Sequence, residues 1–241
     1  MNPSITAIVL AAGSGTRMGS SVRKQYLDLG GIPLVVHSLS AFQESALISE
    51  IILVCARGEE DWCRDNLVRP YSLSKVRKIV PGGKERYHSV WEGLCAVSPC
   101  DIIMIHDGAR PFVTEEMLNR LASEAAAEGA CVAAVPVKDT IKLADEEGYV
   151  AETPPRNRLW TVQTPQVFDY KIVYEAYRQL ISLEETCMAE GRPVPVAVTD
   201  DAMVVETFGG HRVKLVTGSY ENIKITTPED LPVAEALLRR K

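Results

Sequence analysis

The chain has 241 residues, of which 46% are hydrophobic and 24% charged, and its formal net charge is −6. This is the balance of a soluble globular protein with a full core. The acidic excess argues against a nucleic-acid surface, and no apolar run approaches the roughly 20 residues that a bilayer span needs.

The first apolar run, Ala7 to Leu10, reads as a buried strand. It gives way to Ala11-Ala12-Gly13-Ser14-Gly15-Thr16-Arg17-Met18, with Lys24-Gln25 a short distance beyond. Gly13 and Gly15 allow a tight turn and close approach to a ligand. Arg17 and Lys24 set two cations beside exposed backbone N–H groups, an arrangement suited to a phosphate. Taken alone, the stretch also reads as an ordinary strand-to-loop turn with surface cations. It is neither of two better-known loops: Met18 stands where a dinucleotide fingerprint requires glycine, and no Walker A pattern is present.

Next come a helical pattern over Pro33–Phe42, a strand at Ile51–Cys55, a helix at Glu59–Leu67 and a strand at Val76–Val80. Pro81-Gly82-Gly83 forms a turn, and a helix starts at Glu85 with Tyr87, Val90, Trp91, Leu94 and Cys95 on one face. The strand Ile102–Ile105 runs into His106-Asp107-Gly108-Ala109-Arg110-Pro111. Thr114 is the expected cap of the following helix, Gly129 its end, and Cys131–Val137 a further strand. This alternation predicts an α/β fold: a Rossmann-like, mostly parallel twisted sheet with helices on both faces.

The rhythm changes between Lys138 and Phe168. Thr140–Leu143 and Tyr149–Val150 flank an acidic tip, Asp145-Glu146-Glu147-Gly148, and read as a hairpin, with Trp160–Phe168 extended again. Such an insertion either covers a site, docks on a second subunit or merely decorates the core. Tyr170–Glu190 and Asp200–Phe208 read as helices, Val213–Val216 as a strand, and Thr227-Pro228-Glu229-Asp230 as a helix start with threonine capping and proline first. No linker interrupts the chain. Residues 1–241 are therefore expected to form a single domain with a projecting β-arm at about 138–160.

Cysteines at 55, 63, 95, 100, 131 and 187 form no C-x-x-C pair and stand at no metal-ligand spacing from the four histidines. They are expected as core thiols. The N-terminus lacks a charged region followed by an apolar core, so no secretory signal is read and a reducing cytoplasm is expected.

Ligands of open α/β sheets bind beyond the carboxyl ends of the strands. Four polar clusters fall at such ends: residues 11–24, Pro81-Gly82-Gly83-Lys84, Asp107-Gly108-Ala109-Arg110 and Lys138-Asp139-Thr140. Asp107 alone could be a turn-capping carboxylate, but its place after an apolar strand with Arg110 nearby favours a ligand or metal role.

The full set of motifs then carries a resemblance. L-A-A-G-x-G-x-R-M, Lys24-Gln25-Tyr26, G-G-x-E-R-x-x-S-V at 82–90, H-D-G-A-R-P at 106–111 and P-V-K-D-T-I-K at 136–142 occur in order. So do R-N-R-L-W-x-x-Q-T-P-Q-x-F at 156–168, T-D-D-A at 199–202 and N-I-K-I-T-x-P-E-D-L at 222–231. Together they resemble the 2-C-methyl-D-erythritol 4-phosphate cytidylyltransferases of non-mevalonate isoprenoid synthesis, over nearly the whole chain. The resemblance implies that Ala11, Ala12 and Gly13 wrap the nucleotide, Gly83 and Ser89 recognise cytosine, and Arg17, Lys24 and Lys224 neutralise the CTP phosphates. It implies that Asp107, Arg110, Thr140 and Thr164 hold the sugar-alcohol phosphate, joined by Arg156 from the arm of a second subunit. It further implies Mg²⁺, carried mainly by the CTP phosphates with Asp107 as the candidate protein ligand, and a homodimer formed through the arm. Two positions depart from the family pattern: Gly108, where alanine is common, and Lys84, where an acidic residue is common.

The chemistry agrees. A phosphate oxygen attacks the α-phosphorus of CTP and pyrophosphate leaves, so two anions must be brought together and charge stabilised on the α-phosphate and the leaving group. The attacking phosphate is already ionised, so neither His106 nor His88 is needed as a base. Two alternatives remain: a cytidylyltransferase acting on ribitol 5-phosphate, and a non-catalytic nucleotide-binding regulator on the same fold. The regulator would be expected to lack one of the phosphate cations, yet Arg17, Lys24 and Lys224 are all present.

Overall fold

The computed structural model describes residues 3–13 and 23–240, and the statements that follow concern these. β1 (Ile5–Ala11) is followed by a 3₁₀ turn (Lys24–Tyr26), a small hairpin of β2 (Asp28–Leu29) and β3 (Ile32–Pro33), and α1 (Leu34–Glu44). β4 (Ile48–Cys55), α2 (Glu60–Cys63, continued by a π-helical stretch Arg64–Val68), β5 (Val76–Pro81), α3 (Arg86–Ala96), β6 (Ile102–Asp107), α4 (Glu115–Glu128) and β7 (Ala130–Pro136) complete the alternating part. The arm carries β8 (Leu143–Ala144) and β9 (Val150–Glu152), and a 3₁₀ turn at Arg156–Arg158 leads to β10 (Trp160–Asp169). α5 (Tyr170–Ala189), α6 (Asp201–Gly209), β11 (Lys214–Thr217) and α7 (Asp230–Leu238) follow.

The described residues form a seven-stranded sheet in the order β11-β7-β10-β6-β1-β4-β5. All its pairings are parallel except those of β10, which runs antiparallel to both β6 and β7. The exception has a simple cause. No crossover helix separates β7 from β10, only the arm, so the chain turns back beside the strand it has just left.

Alternating side chains on the strands make two cores. Ile5, Ala7, Val9 and Ala11 of β1 join Leu39 and Phe42 of α1 and Leu118 and Leu121 of α4 on one face. Ile8 joins Val90 and Leu94 of α3, Tyr177 of α5 and Val205 of α6 on the other. A third cluster, with Leu29, Leu34, Phe112, Ile225 and Ala234, fastens α7 to the β2–β3 hairpin. Thr114 caps α4 by accepting from the Met117 N–H at 3.3 Å, and Gly129 closes it with φ of 78°.

Two expectations are corrected. The last helix begins at Asp230, not Pro228: the Asp230 carboxylate accepts from the N–H groups of Thr226 and Thr227 at 2.7 and 2.9 Å, so the acid rather than a threonine organises the turn. Of the cysteines, Cys55, Cys63, Cys131 and Cys187 are buried, but Cys95 is exposed and Cys100 only half-buried. Cys95 thus leaves the apolar face of α3, where Val90 and Leu94 do the packing.

Backbone hydrogen bonds gather the loops at the carboxyl ends of the strands. The Gly82 N–H donates to the Cys55 carbonyl at 2.7 Å and the Gly108 N–H to Leu10 at 2.9 Å. The arm differs from all of this: every residue from 138 to 153 is exposed.

Candidate active site

The end of β1 is held by Gln25, buried, whose amide donates to the carbonyls of Ala11 and, at 2.9 Å, Gly13. Its neighbour Lys24 opens the 3₁₀ turn that follows; Arg17, the other expected cation, lies outside the described residues. Ala12 rests against the Gly82–Gly83 turn, whose glycines are sterically required. A Cβ on Gly82 would stand 2.4 Å from the Ala12 Cβ, and one on Gly83 would stand 2.3 Å from the His88 Cβ. Ser89 is buried, and its hydroxyl accepts from the Gly83 N–H at 3.2 Å while donating to the Glu85 carbonyl at 3.3 Å. Its first task is therefore to shape the turn. His88 closes a capping box at the start of α3, its Nδ1 accepting from the Glu85 N–H at 3.1 Å, and its Nε2 lies 2.7 Å from Glu184.

Beyond β6 lies a cleft of about 380 Å³ lined by Arg86, Asp107, Arg110, Thr164, Asp200 and Lys224 among others. Asp107 meets Arg86 Nε at 3.1 Å with one oxygen and Lys224 Nζ at 2.7 Å with the other. Burial alone would raise its pKa, but Arg86, Lys224 and Arg110 outweigh that and hold the carboxyl well below its ordinary range. Arg86 in turn makes a bidentate pair with Asp201, both contacts at 2.8 Å, and Asp201 is fully buried. Arg110 Nη1 donates to the Asn222 carbonyl at 2.8 Å, and burial lowers its pKa. Among the described residues the buried Arg110 Nε has no hydrogen-bond partner.

Thr164 is a junction. Its hydroxyl accepts from the Asp107 N–H at 3.1 Å and lies 3.1 Å from His106 Nδ1. His106 is fully buried with Nε2 3.0 Å from the Arg110 carbonyl, and burial pushes its pKa down to about 4. A neutral imidazole with the proton on Nε2 satisfies both contacts, so His106 braces the Asp107–Arg110 turn from below.

Thr140 and Arg156 are not brought to this cleft. Both are exposed at the arm, where Arg156 Nη1 donates to the Lys138 carbonyl at 2.9 Å. The expectation that Thr140 acts from the same subunit as Asp107 therefore changes: within one chain it travels with Arg156.

A cation could be held here only in part by protein. The described residues contain no group of three or more His, Cys, Asp or Glu side chains at metal-binding proximity, and both Asp107 oxygens face cations. Such a donor set fits a hard divalent ion that arrives largely coordinated by phosphate and water.

The family model described as 2-C-methyl-D-erythritol 4-phosphate cytidylyltransferase matches residues 5–240. The chain belongs to that family. Cytidylyltransferases of this name from Pelotomaculum thermopropionicum and Alkaliphilus metalliredigens are 48% and 46% identical over 238 residues, which is 98% of this chain and 95% and 94% of theirs. The crystal structure of 4-diphosphocytidyl-2C-methyl-D-erythritol synthase from Anaerococcus prevotii superposes with a TM-score of 0.82 at 35% identity, covering 99% of this chain and 97% of that one.

Sequence reasoning about this cytidylyltransferase family member passed over several residues that build the cleft. Arg86, Asp201 and Asn222 all lie inside quoted motifs, yet nothing in a linear motif says that residues 86 and 201 meet. Gln163, which bonds Ser219 through both ends of its amide at 2.8 and 3.3 Å, likewise fixes the loop before Lys224. The signal available was a polar residue inside a run otherwise read as strand.

Proposed function

We propose that the protein transfers CMP from CTP to 2-C-methyl-D-erythritol 4-phosphate, releasing pyrophosphate, as a cytidylyltransferase of isoprenoid precursor synthesis. Its membership of the family supports the reaction. The observation that carries it to particular residues is the cleft in which Arg110, Lys224 and Arg86 surround Asp107 and Thr164, one strand away from the glycine-flanked nucleotide loop.

In this reading Ala11, Ala12, Gly13, Gly83 and Ser89 bind the nucleotide. Arg17, Lys24 and Lys224 bear the phosphate charge, and Asp107, Arg110 and Thr164 hold the sugar-alcohol phosphate. A phosphate oxygen of the acceptor forms a new P–O bond to the α-phosphorus as the bond to the β-phosphate oxygen breaks. The negative charge that leaves on pyrophosphate is met by fixed cations, which need no reorganisation at that moment. Lys224 must leave Asp107 to reach a phosphate, and the carboxylate is then free to accept from a substrate hydroxyl. Magnesium fits as an ion brought by the triphosphate, with Asp107 as the protein's candidate contact; when bound it supplies further neutralisation of phosphate charge.

We also read residues 1–241 as one domain with an arm, and the arm as the contact of a homodimer that carries Thr140 and Arg156 to the partner's cleft. The exposure of residues 138–153 supports this, since Leu143, Tyr149 and Val150 are large apolar side chains left uncovered. No helix among the described residues is long and apolar enough to cross a membrane; a cytoplasmic location is part of the same proposal. The test is pyrophosphate release across a matrix of nucleoside triphosphates and acceptor phosphates, with and without a chelator. The expected pair is CTP with methylerythritol phosphate, dependent on divalent metal. A higher kcat/KM with ribitol 5-phosphate would overturn the assignment of the acceptor.

A further inference from the structure

Arg86 is the first residue of α3, directly after the Gly82-Gly83-Lys84-Glu85 turn, and it reaches across to the cleft below β6. Its two terminal nitrogens grip Asp201 at 2.8 Å each, and the Tyr177 hydroxyl donates to the same carboxylate at 2.5 Å. Asp201 and Tyr177 are both fully buried, and Asp201 is the first residue of α6. A planar guanidinium held as a two-pronged fork has its plane and direction determined. Its Nε is then aimed at Asp107 Oδ1, 3.1 Å away.

Lys224 makes a different kind of contact with the same carboxylate. It is a single ammonium on a flexible stem, its side chain is 38% exposed, and it meets Asp107 at 2.7 Å. An incoming phosphate competes with Asp107 for both cations, but not equally. Taking Arg86 would break three contacts and strand a buried carboxylate, whereas taking Lys224 breaks one contact at the edge of solvent.

We infer that Arg86 is a positioning residue: braced by Asp201 and Tyr177, it holds Asp107 in place for the acceptor while Lys224 is exchanged from Asp107 to a phosphate of CTP. This rests on the reading of the cleft as the sugar-phosphate site. It explains why an ion pair is built into the wall of the cleft, where packed apolar side chains would serve stability as well. Asp107 is a counter-ion for Lys224 when the cleft is empty and a hydroxyl acceptor when it is full, and Arg86 keeps it from following the lysine.

The experiment measures kcat, both KM values and Tm for Arg86→Gln, Arg86→Lys, Asp201→Asn, Tyr177→Phe and the double variant Arg86→Gln/Asp201→Asn. Arg86→Gln should raise KM for methylerythritol phosphate by about 10- to 100-fold while KM for CTP stays within about threefold, the split expected for a lost acceptor-side interaction. Arg86→Lys, which keeps the charge and loses the fork, should show most of that defect. Asp201→Asn should act in the same direction, and the double variant should be no worse than Arg86→Gln, because residues acting as one unit are not additive. Tyr177→Phe keeps the ring in the core and should raise the same KM by roughly two- to fivefold; it and Arg86→Lys supply the readout if Asp201→Asn does not fold. Equal rises in both KM values, multiplicative effects in the double variant, or a lowered Tm with unchanged KM would each overturn the inference. Wild-type protein that fails to turn over methylerythritol phosphate would overturn the reading of the cleft and this inference with it; turnover without the split overturns the inference alone.

Discussion

In the cleft every charged group has a protein partner: Asp107 gives one oxygen to Arg86 and the other to Lys224, while Asp201 gives both to Arg86. In the arm the contacts are few and local. The Asp145 carboxylate accepts from the N–H groups of Glu147 and Tyr149, Lys142 donates to Thr153, and the apolar side chains of Leu143, Tyr149 and Val150 face outward. The charges of the cleft are paired within a single chain, while the apolar side chains of the arm are left uncovered by it. In the proposed dimer a second copy covers the arm, and a two-fold assembly gives each arm the same neighbour.

The most severe way to break this comparison is to test whether the two regions serve one site. Lys24→Ala and Arg156→Ala should each lower kcat by on the order of 10²–10³, the scale of one lost charge-stabilising donor. If Arg156 serves the partner's cleft and Lys24 its own, an equal mixture with free subunit exchange should place about half the dimers in the mixed form. Each mixed dimer has one site with both lesions and one with neither, so roughly a quarter of wild-type activity should return. Mixed dimers, confirmed by differently tagged chains, with activity no higher than the single variants would assign Arg156 to its own subunit.

The floor of the cleft also has a pH signature. The buried His106 is held down to about 4, below its ordinary value near 6.5. Between those values the unfolded chain binds a proton that the folded chain does not. The stability this neutral imidazole contributes is therefore complete above about pH 6.5 and falls by about 3 kcal/mol as the pH drops to 4. Urea titrations across that window should show the loss in wild type and a flatter profile in His106→Gln. Identical profiles would mean that His106 already binds its proton in the folded protein.

A smaller effect is expected at the nucleotide turn. Gly83→Ala places a methyl group 2.3 Å from the His88 Cβ. Overpacking of this kind costs about 1–3 kcal/mol, and CTP binding should weaken with it while the acceptor's KM changes less. A variant with unaltered CTP affinity would show that the turn can shift without consequence for the base.

The smallest effect on the fold itself should come from the arm. Tyr149→Ser or Val150→Ser, at side chains 70% and 60% exposed, should leave protomer stability within about 0.5 kcal/mol. Sedimentation over a concentration series should nevertheless show weakened self-association. Dimers as tight as wild type would remove the arm from the interface.

Much of this architecture is legible in the sequence because strands and helices write local periods into it. Ile8 and its neighbours alternate between the two faces, Thr114 and Gly129 mark the limits of α4, and the glycines at 82 and 83 stand where the backbone must approach Ala12 and His88. The acidic hairpin tip and its flanking β-formers likewise announce the arm. Tertiary structure alone decided the rest. β10 looks like any other strand in the linear chain, and its antiparallel course follows from which neighbours the returning segment meets. Gly108 shows the same limit: a methyl group there would lie 2.8 Å from Val35 Cγ2 and 3.0 Å from the Leu10 carbonyl, a constraint set by α1 and β1 rather than by its own turn. The Arg86–Asp201 pair joins residues 115 positions apart, and Thr140 and Arg156 are both exposed on the arm and absent from the lining of the cleft. Local periodicity reports which side of an element is apolar; it contains no term for the distance between two charges on different elements, and that distance is what gives the cleft its chemistry.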